Sequence, residues 1–177
     1  MMFKTHAAFG LLIAISTFYY FSNINKFLFI FVVFVSSVFL DIDEKHSNIS
    51  HKLKPLSTII SFIFKHRGFV HSLLFIILFS ATIFIFLGNY YIPFIIGALS
   101  HLFLDALTPA GIKLFYPFNI KIHGFFRTGS FFDYILFFLI LVLIFFTGIS
   151  KMGNYISLIS IFHSNVAYAN RPRRLYK

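Results

Sequence analysis

The sequence predicts an all-α fold, a polytopic membrane helix bundle of about five transmembrane helices with a short interfacial helix. Three observations predict it. Hydrophobic residues make up 59% of the 177 and charged residues only 11%, whereas a soluble domain is about 25% charged. The mean hydropathy of +0.88 points the same way. The apolar residues also come in long blocks rather than amphipathic stripes, which makes lipid the solvent of most of the chain.

The first apolar block is followed almost at once by a second, with no small-residue cleavage site between them, so both read as retained spans rather than a signal peptide. Spans are expected at His6 to Phe21, Phe27 to Leu40, Val70 to Leu87, Tyr91 to Leu104 and Phe131 to Ile149. Each approaches the ~20 residues a bilayer requires once its flanks are counted. Leu56 to Phe64 is apolar but about half that length, which fits an interfacial or re-entrant segment. Tyr155 to Phe162 is also short and leads into a tail carrying Arg171, Arg173, Arg174 and Lys177. The domain division that follows is a membrane bundle over 1–150 and a basic C-terminal tail over 151–177.

Lys4, the loop after the second span (Lys45, Lys52, Lys54, Lys65, Arg67) and the loop after the fourth (Lys113, Lys121, Arg127) alternate with turns that carry only Lys26. The basic loops are expected at the cytoplasmic face of a cell or inner membrane. The net charge of +10 is dispersed over these loops rather than gathered into a stripe. It therefore suits orientation and contact with membrane lipid, not nucleic acid. The absence of Cys excludes disulfides, thiolate ligands and a cysteine nucleophile, so a metal here must be held by nitrogen and oxygen.

Five acidic residues serve the whole chain, and Asp41, Asp43 and Glu44 sit together where the second span ends. His6 opens the first span, His66, Arg67 and His71 precede or open the third, His101 and Asp105 close the fourth, and Asp133 opens the fifth. All fall toward one membrane face. Ionisable groups beside or inside spans are costly to desolvate and persist when paired, solvated or bound to a cation. His101 and Asp105, four residues apart, share a helix face one turn from each other. Asp41 and Asp43 can aim two carboxylates into one pocket if the helix unwinds there, and carboxylates that close need a cation or a shared proton.

The expected metal ligands are His6, Asp41, Asp43, His66, His71, His101 and Asp105, with Asp43 and Arg67 as catalytic candidates. Such a nitrogen and oxygen set suits Zn²⁺ first, then Mn²⁺ or Fe²⁺, and more than four ligands suggests two or three ions. A bound metal would make a coordinated water nucleophilic near neutral pH, and the planar donor fork of Arg67 would clamp a phosphate or carboxylate. Metal-assisted hydrolysis is the reaction class these parts support. Asp133 reads as a supporting residue or a helix N-terminal charge. His46, His51, His123 and His163 read as water-facing, and Gly68, Pro109 and Gly111 as turn residues.

These residues also carry a resemblance. Thr5-His6 with Gly10, Leu40-Asp41-Ile42-Asp43, His66-Arg67-Gly68 with His71-Ser72, Ser100-His101 with Leu104-Asp105, and Thr108, Gly111 and Pro117 resemble the YdjM-type family of membrane-bound metal-dependent hydrolases. That family is described as LexA-binding and inner-membrane-associated. It is distantly similar to zinc-dependent phospholipases C and single-strand-specific zinc nucleases. The resemblance implies zinc-dependent hydrolysis of a phosphoester, such as a phospholipid headgroup.

Two other classes use similar residues. A divalent metal transporter would hold its site near the bilayer midplane with access from both sides. A structural membrane protein with a metal site would use the same ligands without turnover. Bis-His haem ligation by His71 and His101 leaves the clustered carboxylates without a purpose.

Overall fold

The computed structural model describes residues 1–43 and 69–169. Five α-helices occur among them: α1 Phe3–Thr17, α2 Lys26–Phe39, α3 Leu73–Leu87, α4 Tyr91–Ala106 and α5 Phe131–Ala169. No named β-strand occurs among the described residues. The expected interfacial segment over 56–64 lies outside the described residues, as do His66 and Arg67.

Local chemistry sets several helix starts. The Asn25 side chain accepts hydrogen bonds from the Phe27 and Leu28 N–H groups at 3.0 and 3.3 Å, capping α2. Ser72 caps α3 in the same way through the Phe75 N–H at 3.2 Å. At the far end of α3, Gly88 takes φ +60, a left-handed value that suits glycine, and a 3-10 turn over Gly88–Tyr90 leads into α4.

The helices α1 to α4 contain 14 to 16 residues, which gives lengths of about 21–24 Å. A hydrocarbon core is about 30 Å thick. Five separate spans of full length are therefore not what these helices supply. Two helical stretches among the described residues are long and apolar enough to cross a membrane, Leu73–Ala106 and Phe131–Lys151. The first is no single span but a hairpin whose legs are α3 and α4, of 15 and 16 residues, so among the described residues Phe131–Lys151 alone is one continuous helix of crossing length. The ring centroids of Phe79 and Phe94 are 5.0 Å apart, whereas a straight helix would separate residues at that spacing by about 22 Å.

Helix α2 packs chiefly on α4 and α1, and α5 packs on α1. Two glycines allow the close approaches. A Cβ at Gly10 on α1 would collide with the Ser37 side chain, and one at Gly97 on α4 would collide with Ser36 Oγ and the Val33 carbonyl. Small residues at helix contacts are the usual means of bringing backbones together in lipid. One core cluster gathers Leu40, Val70, Phe94, Leu102 and Ile112, and another gathers Ala14, Phe29 and Val33. The outside is apolar as well, with Phe27 87% and Phe86 79% exposed. In water such a surface would be a liability, but in hydrocarbon it is the expected solvent face.

Between α4 and α5, residues 107–130 form an ordered loop. Ile112 and Ile122 exchange two backbone hydrogen bonds at 2.9 Å, and the Leu73 N–H donates to the Leu114 carbonyl at 3.0 Å. The loop is thus tied to the start of α3. Helix α5 runs unbroken past residue 150 to Ala169.

Candidate metal centre

One end of the bundle collects the ionisable groups. His6 lies one turn into α1, and Asp41 sits in a 3-10 turn over Leu40–Asp43 that continues α2. His71 stands two residues before α3, while His101 and Asp105 occupy the last turns of α4. All five are buried, with His71 and His101 fully so.

The His101 ring is held at both edges. Its Nδ1 lies 2.7 Å from the Ser37 carbonyl, which can only accept, so Nδ1 carries the proton. In the neutral ring this leaves the lone pair on Nε2 and aims it into the cluster. That Nε2 is 3.2 Å from His71 Nε2, 3.6 Å from Asp41 Oδ1 and 3.8 Å from Asp105 Oδ2. His71 Nε2 is itself 3.6 Å from Asp105 Oδ2. On the other side, the His6 ring stacks on His101 with centroids 4.1 Å apart, and its Nε2 lies 3.2 Å from Asp105 Oδ1. The Met1 ammonium reaches the same oxygen at 3.1 Å.

A divalent cation fits this donor set. Nitrogen and oxygen ligands about 2.0–2.2 Å from a tetrahedral ion stand roughly 3.3–3.6 Å apart. The separations of 3.2, 3.6 and 3.8 Å among His71, His101 and Asp105 cluster around that range. A second grouping, His6 with Asp41 and His101, also brings one ligand atom from each residue within 4.8 Å of the others. His6 Nδ1 is buried and has no hydrogen-bond partner among the described residues, which suits a ring that turns a nitrogen to a ligand. Because Nδ1 of His101 is committed to Ser37, His101 can serve one ion. The two groupings share His101 and therefore describe the surroundings of a single ion.

Behind these ligands stands a supporting layer. The Asp133 carboxylate accepts hydrogen bonds from Thr5 Oγ1 at 2.9 Å, the Met2 N–H at 3.1 Å and the Gly129 N–H at 2.8 Å. It ties the start of α5 to the residue preceding His6. Thr108 Oγ1 donates to the Asp105 carbonyl at 2.8 Å at the end of α4.

Of the seven residues expected as ligands, the structure brings together His6, Asp41, His71, His101 and Asp105. The backbone of Asp43 is in the 3-10 turn, its side chain lies outside the described residues, and so do His66 and Arg67. His123 is exposed, as expected. Sequence reasoning missed the Ser37 carbonyl, the Met1 amine and the hydroxyl of Thr5. For the first the sequence holds no signal, because every residue carries a backbone carbonyl.

A family model described as YdjM inner membrane protein matches residues 1–171. The chain belongs to that family. Among its relatives, the uncharacterised protein YvsG of Bacillus subtilis is 36% identical over 137 residues, covering 72% of this chain and 82% of the relative. The inner membrane protein YdjM of Escherichia coli is 39% identical over 84 residues, 44% of this chain and 43% of its own length. The YdjM protein of Shigella flexneri gives the same figures. The chain thus spans less than half the length of those two relatives. No solved structure matches. Family membership and the two long apolar stretches together identify a membrane protein.

Proposed function

We propose that the buried cluster is a divalent metal centre, with zinc the best fit, and that the protein is a membrane-bound metal-dependent hydrolase of phosphoesters such as phospholipid headgroups. The observation that carries this reading is the convergence of three imidazoles and two carboxylates from four segments onto one buried point. Buried carboxylates call for compensating positive charge. His6, Asp41, His71, His101 and Asp105 would hold the ion. When bound, it supplies Lewis-acid polarisation of a phosphoryl oxygen and acidifies water. Arg67 serves as the clamp for the substrate phosphate, and Asp43 as a further carboxylate at the end of the α2 turn.

A lipid substrate is supported by a cleft of about 220 Å³ on the outer surface of the bundle, where Phe31, Val35 and Phe39 of α2 face Phe79 and Phe94. The cleft runs along α2 to Phe39, two residues before Asp41, so an acyl chain there would leave its headgroup near the ligands. Lys4, Lys113, Lys121 and Arg127 flank this end of the bundle, and we assign it to the cytoplasmic side by the positive-inside tendency.

Purified protein should contain divalent metal, and Asp105→Ala, His71→Ala or Asp41→Ala should each lower its content. Full metal content in all three variants would remove the site. In detergent, metal-dependent release of phosphate or headgroup from phospholipids is the expected activity. Metal flux into sealed vesicles without any turnover would assign the centre to transport instead.

A further inference from the structure

We propose that the loop 107–130 is a leaflet-docking hairpin, which seats its aromatic tip among acyl chains and its cations against anionic lipid phosphates. The loop is not a slack connection. Ile112 is 1% exposed and joins the core, the Ile112 and Ile122 backbones pair, and the Thr108 carbonyl accepts from both the Gly111 and Gly124 N–H groups at 3.0 and 3.1 Å. Gly111, at φ +60, makes the turn that this pairing needs, and a Cβ there would collide with the Ile122 carbonyl.

With its base fixed in this way, the loop turns large apolar side chains outward. Phe118 is 68% exposed, Ile120 59% and Phe125 79%, with Phe115 and Tyr116 also exposed. Large apolar side chains exposed together on one ordered loop mark an interaction surface. Its height in the membrane follows from its flanks. The loop leaves α4 at Ala106 and enters α5 at Phe131, the first residue of a stretch able to cross the bilayer, so it lies at headgroup level. Aromatic residues mixed with Lys and Arg are the composition that this layer selects.

Charge identifies the occupant as an anionic leaflet rather than a protein partner of mixed charge. Residues 107–130 contain Lys113, Lys121 and Arg127 and no Asp or Glu. Basic residues at this depth are drawn to acidic headgroups. This inference is independent of the metal reading, because it uses none of the residues gathered in the buried cluster.

The chain has no Trp, so one introduced indole reports unambiguously. Phe118→Trp is placed in full-length protein, and Phe138→Trp on the exposed face of α5 serves as the bilayer control. Both are reconstituted into vesicles of phosphatidylcholine, with and without phosphatidylglycerol, carrying brominated acyl chains. The F118W emission should be blue-shifted and quenched by brominated lipid, and more so with phosphatidylglycerol present. Combining Lys113→Gln, Lys121→Gln and Arg127→Gln should abolish that added quenching and leave F138W unchanged. Water-like, unquenched F118W emission beside a quenched F138W overturns the proposal. Blue-shifted emission that brominated lipid does not quench indicates contact with protein and overturns it too. Quenching indifferent to lipid charge overturns the anionic assignment.

Discussion

At the scale of single residues, the centre depends on groups that never touch its middle. Asp133 accepts three hydrogen bonds, from the Met2 N–H, Thr5 Oγ1 and the Gly129 N–H, so it fixes the first turn of α1 and with it the His6 ring. Asp133→Ala leaves three donors unmet, each at a cost of about 1–3 kcal/mol where water cannot reach them. We expect lower stability in detergent unfolding and weaker metal affinity. Thr5→Val should reproduce a fraction of both losses. Wild-type metal affinity in both variants would separate Asp133 from the site. The clustered residues were legible because His and Asp are rare and costly in an apolar chain, so His6, Asp41, His71, His101 and Asp105 stood out against their surroundings. The Ser37 carbonyl was not legible, since a backbone acceptor leaves no mark in composition. Nor could spacing along the chain disclose that Asp133 meets Thr5.

Helix pairing is governed by two glycines of different kind. The space a Cβ would need at Gly10 is taken by the Ser37 side chain, whereas at Gly97 the Val33 carbonyl also stands in the way. Gly10→Ala should therefore cost about 1–3 kcal/mol by overpacking, and Ser37→Gly should recover part of it. Gly97→Ala should cost at least as much, and Ser36→Gly should recover little, because backbone cannot be trimmed. Thermal unfolding of the two pairs in detergent compares these outcomes, and equal rescue of both would refute the distinction. The positions of the helices were readable from apolar blocks, with starts at Lys26, Tyr91 and Phe131 close to those expected. Their exact ends were not. Block length reports how far lipid-compatible residues extend, while capping by Ser72 and 3-10 turns after α1 to α3 decide where α-helix begins and ends. For the same reason α5 outruns its apolar block, since a helix needs no lipid to continue past Lys151.

At the scale of the whole molecule, one helix, α5, has the length of a bilayer's hydrocarbon core. From Asp133 to Lys151, α5 rises about 27 Å, close to the ~30 Å of a hydrocarbon core. Lys151 Nζ there lies 5.2 Å from the centre of the Tyr19 ring, and Lys26 Nζ lies 5.6 Å from it. An aromatic and cationic rim thus closes the end of the bundle opposite the ligands. Because the ligands come from four segments, an ion should brace the assembly as a whole. Stripping metal with a chelator should lower the unfolding temperature, and zinc restored at 100 times its Kd should add about 2.7 kcal/mol. Acidification should remove that gain as imidazoles take up protons in place of the ion. An unfolding temperature indifferent to chelator would deny the bracing. The turn at Gly88 carries a last consequence. A hairpin enters and leaves by the same side, so His71 before α3 and Asp105 at the end of α4 stay neighbours whichever way up the molecule is inserted. The site is invariant to inversion of the whole bundle, and only an odd change in the number of traverses could scatter it.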